Sequence, residues 1–145
     1  MGETDKTRKF LIATHGTLAA GAKSSLDIII GESANLFLIQ AYVDEHSSVE
    51  AEIKQILEQV SDEDELIVFS DIMGGSVTNQ LLQHALRPNV HIVSGFNLPL
   101  IIDVMLADTD TPIEEVIHSA LENAKEQMVY VNRLLTSQNQ ENDND

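Results

Sequence analysis

His15 and Asp71 are the residues of this chain whose types and positions best suit chemistry. Each directly follows a short apolar segment, residues 10–14 (FLIAT) and 66–70 (LIVFS), that is typical of a buried strand. If these two strands are neighbours, their ends lie about 5 Å apart and the two side chains can touch. A carboxylate that accepts a hydrogen bond from one imidazole nitrogen fixes the tautomer and leaves the other nitrogen as a nucleophile. We therefore expect His15 and Asp71 to be catalytic.

A glycine pair, Gly74-Gly75, and Ser76 come shortly after Asp71. Glycines let the backbone pass close to a ligand, and the amides at the start of the helix that Ser76 opens can hold an anion. The chain carries 24 acidic and 8 basic residues, so a phosphate needs such backbone donors. A phosphoryl group on His15 would meet these amides and the Ser76 hydroxyl.

Strands and helices alternate along the chain, and this alternation predicts how the two residues are positioned. Two further apolar segments, residues 36–42 and 90–94, are predicted strands. Helices are predicted over 17–30, over 76–86 and from Thr111 to about Lys125. Another helix is predicted to begin at a capping box of Ser47 and Glu50 and to extend through Val60, and one more is predicted to begin at Asn97. Four strands separated by helices predict an α/β fold, with a doubly wound, mostly parallel four-stranded sheet and helices on both faces. Ligands of such folds bind beyond the carboxyl ends of the strands, where His15 and Asp71 are placed.

The segment 128–135 (MVYVNRLL) allows two interpretations. Val129 and Val131 alternate in the manner of a strand, and a last strand would cover an open edge of the sheet. The alternative is that the preceding helix runs on to Leu135. Residues 137–145 (SQNQENDND) are polar and acidic, which predicts a disordered tail behind a single domain over residues 1–136.

Composition excludes several classes of protein. The 145 residues include no cysteine, so disulfides and thiolate sites are excluded, and the net charge of −16 argues against binding to nucleic acid. No apolar stretch approaches the roughly 20 residues of a spanning helix, and the N-terminus lacks the apolar region of a secretory signal. The other histidines lie in different predicted elements, so we expect no metal site, and we expect no cofactor. These observations predict a cytoplasmic protein.

Five short motifs occur in order across roughly residues 9 to 130. They are IATHG at 12–16, AAG at 19–21, IIGE at 29–32, FSDIMGGS at 69–76 and SGFNLP at 94–99. Together they resemble the enzyme IIA domain of the mannose-type, phosphoenolpyruvate-dependent sugar phosphotransferase system (PTS). With Asn79, the fourth motif matches the D-x-x-G-G-S-x-x-N pattern of that family. Each motif alone is weak, whereas their combination is specific.

The resemblance implies a function and its partners. Domains of this family accept a phosphoryl group from the histidine phosphocarrier protein (HPr) and pass it to a IIB component, which serves sugar uptake through membrane IIC and IID components. His15 takes the position of the phosphorylated histidine, and Asp71 takes that of the aspartate that orients it. The residues that match the phosphoryl-binding positions are Thr14, Gly74, Gly75 and Ser76.

The resemblance also implies how the protein assembles. Members of the family are homodimers that exchange a C-terminal strand between subunits, which corresponds here to residues 128–135. The IIB partner is expected to be a separate chain, and the protein is expected to reach the inner face of the membrane only through its partners. Ile72 and Met73 stand where related sequences often carry a tryptophan, so they are expected to affect partner choice.

Two other functions stay open. A related IIA-like subunit donates its phosphoryl group to a dihydroxyacetone kinase through the same fold and mechanism. A non-catalytic, flavodoxin-like module would bind a small anion or a flavin. Phe96 is the only aromatic residue predicted in the loops after the strands, so no pair of rings is expected to sandwich a flavin.

Overall fold

The computed structural model describes residues 7–46 and 48–143 and contains a sheet of four strands. The strands are β1 (Arg8–His15), β2 (Leu36–Ala41), β3 (Glu65–Ser70) and β4 (Val90–Ser94). The helices are α1 (Leu18–Ile30), α2 (Val49–Glu58), α3 (Ser76–Leu82), α4 (Leu98–Leu106), α5 (Ile113–Glu126) and α6 (Val131–Asp143). Neighbouring strands are parallel, and the order across the sheet is β2-β1-β3-β4. This confirms the predicted α/β fold.

The core consists of two apolar layers, one on each face of the sheet. Along β1 the side chains alternate, so that Phe10 and Ile12 face one layer while Leu11 and Ala13 face the other. Helices α1, α4 and α5 cover the first face, and helices α2 and α3 cover the second. Because both faces of the central strands are buried, their sequences are continuous apolar segments rather than alternating ones.

Two helices begin with side-chain caps. Asn97 caps α4 as the sequence predicts, and its Oδ1 accepts the N–H of Leu100 at 3.0 Å. Helix α2 is capped by Ser48, whose Oγ accepts the N–H of Ala51 at 3.3 Å. The cap predicted for α2, Ser47, lies outside the described residues.

The sheet order places the carboxyl ends of β1 and β3 side by side. Ala13 pairs with Ser70 in the register of these strands, so His15 and Asp71 leave the sheet at the same edge. The connection from β1 to β2 and the connection from β2 back to β3 run in opposite directions across the sheet. The winding therefore reverses between β1 and β3, which is the position where doubly wound sheets bind their ligands.

The predicted C-terminal strand is wrong. Residues 128–130 have no regular secondary structure, and helix α6 begins at Val131. Among the described residues β4 pairs only with β3, so the segment has no neighbouring strand. An unpaired strand leaves its amides and carbonyls without partners, whereas a helix pairs them within the segment. The alternative of one continuous helix is also wrong, because α5 ends at Glu126.

Helix α6 also differs from the disordered tail that composition predicts over 137–145. Its backbone continues as a helix to Asp143, and residues 144–145 lie outside the described residues. The strand that the resemblance assigns to exchange between subunits is therefore absent from the described part of the chain. None of the helices in that part is both long enough and apolar enough to cross a membrane.

Candidate active site

The imidazole of His15 is held by Asp71 on one side. Oδ2 of Asp71 lies 2.9 Å from Nδ1 of His15 and also accepts the backbone N–H of His15 at 2.8 Å. Oδ1 accepts the N–H of Ile72 at 2.9 Å. Since an ionised carboxylate only accepts hydrogen bonds, Nδ1 of the neutral ring carries the proton and Nε2 keeps its lone pair. The structure thus joins the two residues that the sequence places at neighbouring strand ends.

Burial and hydrogen bonding act in opposite directions on the pKa of Asp71. Burial, the largest single influence, raises it, whereas the hydrogen bonds from the backbone and ring of His15, the charge of that ring and the Ile72 amide lower it. The lowering contributions prevail, so the pKa of Asp71 lies below its ordinary value. The side chain of Asp71 is 8% exposed and that of His15 is 37% exposed. An ionised carboxylate therefore lies beneath a ring that solvent can reach.

Two hydroxyl groups lie on the other side of the ring. Oγ of Ser76 is 3.3 Å from Nε2 of His15, and the hydroxyl of Tyr42 is 2.6 Å from Oγ of Ser76. The ring centroids of Tyr42 and His15 are 5.7 Å apart, and the rings are tilted by 36°. Residues from the ends of β1 and β2 and from the start of α3 thus meet at Nε2.

The glycine turn after β3 brings the backbone close to the imidazole. The N–H of Gly75 donates to the carbonyl of Ile72 at 3.2 Å, and Gly74 has a φ of 78°, which favours glycine. Nδ2 of Asn79 donates to the carbonyl of Gly74 at 3.4 Å and steadies the turn. A Cβ at Gly75 would lie 3.3 Å from Cε1 of His15, so the glycine leaves the ring its room.

Thr14, the residue before the histidine, is fully buried. Its Oγ1 accepts the N–H of Ala19 at 3.0 Å and donates to the carbonyl of Gly16 at 3.4 Å. Gly16 lies in the connection between β1 and α1, and Ala19 lies in the first turn of α1. The Thr14 hydroxyl thus ties the connection after His15 and the start of α1 to the end of β1.

Tyr42 is the site residue that sequence reasoning misses. The apolar segment 36–42 predicts it as the last residue of a strand, but β2 ends at Ala41 and Tyr42 has a φ of 67°. In the register of β1 and β2, His15 is opposite Ala41. Aligning the two strands would have placed Tyr42 beside the histidine. Its ring also corrects the expectation that Phe96 is the only aromatic residue near the strand ends.

The arrangement suits attack by Nε2 on an electrophile that approaches from solution. The neutral ring has a fixed tautomer, and a hydroxyl lies close to the point where a transferred group would attach. Across the described ranges, no three histidine, aspartate or glutamate side chains come together in a way that could hold a metal ion.

Comparison with known proteins connects this geometry with a family. The EIIA-man family model, described as PTS system fructose IIA component, matches residues 9–121. A crystal structure from Klebsiella pneumoniae, provisionally named a phosphoenolpyruvate-dependent sugar PTS permease, is 34% identical with a TM-score of 0.86, over 93% of this chain and 98% of that one. The PTS IIA protein associated with the fucose utilization operon of Streptococcus pneumoniae is 28% identical with a TM-score of 0.75, over 92% and 99% of the two chains.

A curated relative agrees with these matches. The PTS system fructose-specific EIIA component of Bacillus subtilis is 23% identical over 111 residues, which are 75% of this chain and 76% of the relative. The residues matched by the family model include both His15 and Asp71. The chain therefore belongs to the EIIA-man family and is a IIA component of a sugar phosphotransferase system, a class of phosphotransfer proteins, as its motifs predict.

Proposed function

We propose that this protein accepts a phosphoryl group from HPr on Nε2 of His15 and passes it to a IIB component. The IIB component then serves sugar uptake and phosphorylation with membrane IIC and IID components, so the protein works in the cytoplasm at the inner face of the membrane. The observation that carries the proposal is the 2.9 Å contact between Nδ1 of His15 and Oδ2 of Asp71. This contact supports a proton on Nδ1 and Nε2 as the nucleophile.

The proposed transfer exchanges one nitrogen–phosphorus bond for another. The Nε2 lone pair attacks the phosphorus of the phosphohistidine on HPr, and the donor's N–P bond breaks with its electron pair returning to the donor imidazole. The proton on Nδ1 stays in place, so the ring of His15 becomes positively charged. The carboxylate of Asp71, 2.9 Å from Nδ1, stabilises this charge. In the transfer to the IIB component, His15 is the leaving group.

The phosphoryl group is proposed to bind between Ser76 and the glycine turn. Oγ of Ser76 is 3.3 Å from Nε2, so rotation of its O–H can bring the proton to a phosphoryl oxygen. Gly75 supplies space next to the ring. Its own N–H donates to the carbonyl of Ile72, so the N–H of Gly74 is the proposed backbone donor. Thr14 contributes by holding the loop through the N–H of Ala19.

HPr and the IIB component are proposed to bind the same edge of the sheet in turn, because each must reach Nε2. Ile72 and Met73 are 57% and 72% exposed at this edge. Exposed apolar side chains next to a nucleophile suit contact with a protein surface. These two residues are therefore the proposed determinants of partner choice.

A second copy of the chain is a further proposed partner. In the described part of the chain, strand β4 has a free edge and the apolar side chains over 128–135 are exposed. Contact between two copies would cover such surfaces. Light scattering is expected to give a dimer for the full chain and a monomer for a chain truncated after residue 127. A full chain that is monomeric at micromolar concentration would exclude this partner.

Labelling with radioactive phosphoenolpyruvate, enzyme I and HPr tests the transfer itself. The wild type should take up label that is lost in acid and kept in base, as expected of a phosphoramidate. His15→Ala should take up none and keep the circular dichroism spectrum of the wild type. His46→Ala is the matched control, since His46 is exposed in the loop after β2, and it should label normally. Label in His15→Ala would place the site elsewhere, and an unlabelled wild type would favour a non-catalytic binding module.

A further inference from the structure

Tyr42 has an unusual backbone conformation at the end of β2. Its φ is 67°, in the left-handed region that residues other than glycine rarely adopt, and its side chain is 66% exposed. Burial in the core therefore does not explain why a tyrosine occupies this position. Conformations of this kind are found where the surrounding structure imposes them, often at functional sites. Here the conformation places the tyrosine hydroxyl 2.6 Å from Oγ of Ser76.

Asp71 sets the direction of a chain of hydrogen bonds that ends at Tyr42. Nδ1 of His15 donates to the carboxylate, so Nε2 of the neutral ring can only accept. The hydroxyl of Ser76, 3.3 Å away, must then donate its single proton to Nε2. With that proton committed, Oγ of Ser76 can only accept from Tyr42. The order of donation is therefore Tyr42 to Ser76, Ser76 to His15, and His15 to Asp71.

We propose that Tyr42 is a positioning residue for phosphoryl transfer at His15 and acts through Ser76. Its hydroxyl donates to Oγ of Ser76 and so directs the Ser76 O–H towards Nε2, from where it can turn to an oxygen of the arriving phosphoryl group. Tyr42 and Ser76 keep their protons throughout, and no covalent bond changes at either residue. This inference rests on the proposed function, because it takes Nε2 as the reacting atom.

A docking role for Tyr42 would give different kinetics. An exposed tyrosine can contact a protein partner directly, and its loss would then raise the concentration of phosphorylated HPr that gives half the maximal rate. A positioning residue acts after the complex has formed, so its loss lowers the maximal single-turnover rate and leaves that concentration unchanged. Positioning also requires Ser76, whereas docking does not.

Tyr42→Phe is the decisive variant because it keeps the ring and removes only the hydroxyl. The maximal rate of phosphoryl transfer should fall by about 3- to 10-fold, which corresponds to one neutral hydrogen bond. In a Ser76→Ala background, Tyr42→Phe should have no further effect. Ser119 is exposed in α5, and Ser119→Ala likewise removes only a hydroxyl, so this variant is the matched control and should transfer at the wild-type rate.

A second readout needs no phosphoryl donor. In ¹⁵N NMR spectra of the unphosphorylated protein, the Nε2 resonance of His15 should move towards that of a nitrogen without a hydrogen bond in Tyr42→Phe and stay in place in Ser119→Ala. A wild type that takes up no label refutes the proposed function. A labelled wild type, combined with a Tyr42→Phe variant that is equally fast or that is slowed just as much without Ser76, refutes this inference alone.

Discussion

Replacing Asp71 by asparagine removes the charge at the site and keeps the shape of the side chain. Oδ2 accepts two hydrogen bonds from His15, and Oδ1 accepts the N–H of Ile72. If the amide oxygen takes the place of Oδ2, both bonds to His15 survive and the NH₂ group faces the N–H of Ile72. If the amide oxygen takes the place of Oδ1, the NH₂ group faces the backbone N–H and Nδ1 of His15. The second orientation favours the tautomer that carries its proton on Nε2, which cannot attack phosphorus.

The expected loss follows from the first orientation. A hydrogen bond to a charged group contributes about 1.5–3 kcal/mol and a neutral one about 0.5–1.5 kcal/mol, so the ring that becomes positive during transfer loses roughly 1–2 kcal/mol of stabilisation. Molecules in the second orientation do not react and lower the rate further. We therefore expect phosphoryl transfer to be slower by about 10- to 10³-fold, or about 1.4–4 kcal/mol.

Rapid-quench measurement of transfer from labelled phospho-HPr provides the assay. Asp64→Asn is the matched control, because Asp64 immediately precedes β3 whereas Asp71 immediately follows it. Asp64 also has a lowered pKa, first through the hydrogen bond from the backbone of Ser61 and then through Lys9. Asp64→Asn should lose stability and keep the wild-type transfer rate. An Asp71→Asn variant that transfers as fast as the wild type would remove the carboxylate from the mechanism.

Two further predictions concern the glycine turn and the stability of the fold. Gly75→Ala should slow transfer by about 3- to 10-fold, because the new Cβ lies 3.3 Å from Cε1 of His15 and displaces the ring. Gly21→Ala, which adds a methyl group in open space within α1, should instead raise the free energy of unfolding by about 0.5–1 kcal/mol and leave transfer unchanged; equal transfer rates in both variants would contradict the argument. The pKa of Glu52 is raised, first by burial and then by the charge of Asp44, so protonation of Glu52 stabilises the fold. This stabilisation is fully present below the unfolded-state pKa and is lost as pH rises through the folded-state pKa. Glu52→Gln should therefore be more stable than the wild type in urea unfolding at pH 7, and the two should converge in acid; a gain that persists in acid would refute this.

The sheet and the edge that carries the candidate site could be predicted because their signals are local. Residues 10–14 and 66–70 form buried strands, and the polar residue after each marks where the strand leaves the sheet. The strands of a parallel sheet end at the same edge, so the order of the strands is the only further information needed to place His15 beside Asp71. The order of the strands could not be derived from the sequence, and the structure shows it to be β2-β1-β3-β4.

The parts that could not be predicted depend on interactions between segments. Residues 128–135 carry a strand-like alternation, but a strand also needs a neighbour to pair with, and their backbone bonds are satisfied locally in α6 instead. The sequence predicts that Tyr42 belongs to a strand, because tyrosine favours strands. Its positive φ and its bond to Ser76 arise from where the chain turns after Ala41. The intrinsic preferences of the residues therefore predict the strand, but they do not predict that it ends before Tyr42.

The position of His15 between core and solvent suits the proposed exchange of a phosphoryl group with two proteins. A fully buried imidazole could not meet the reacting atoms of HPr and of a IIB component, and a fully exposed one would rotate freely and sample both tautomers. The structure meets both requirements. Nδ1 contacts Asp71, whose side chain is 8% exposed, while the side chain of His15 is 37% exposed. Ser76 and Tyr42 lie on the exposed side, where the Ser76 hydroxyl contacts Nε2 and the Tyr42 hydroxyl contacts Ser76. For this reason the effects of Asp71→Asn and Tyr42→Phe should combine more weakly than independent effects would, because both act on the proton arrangement of one ring.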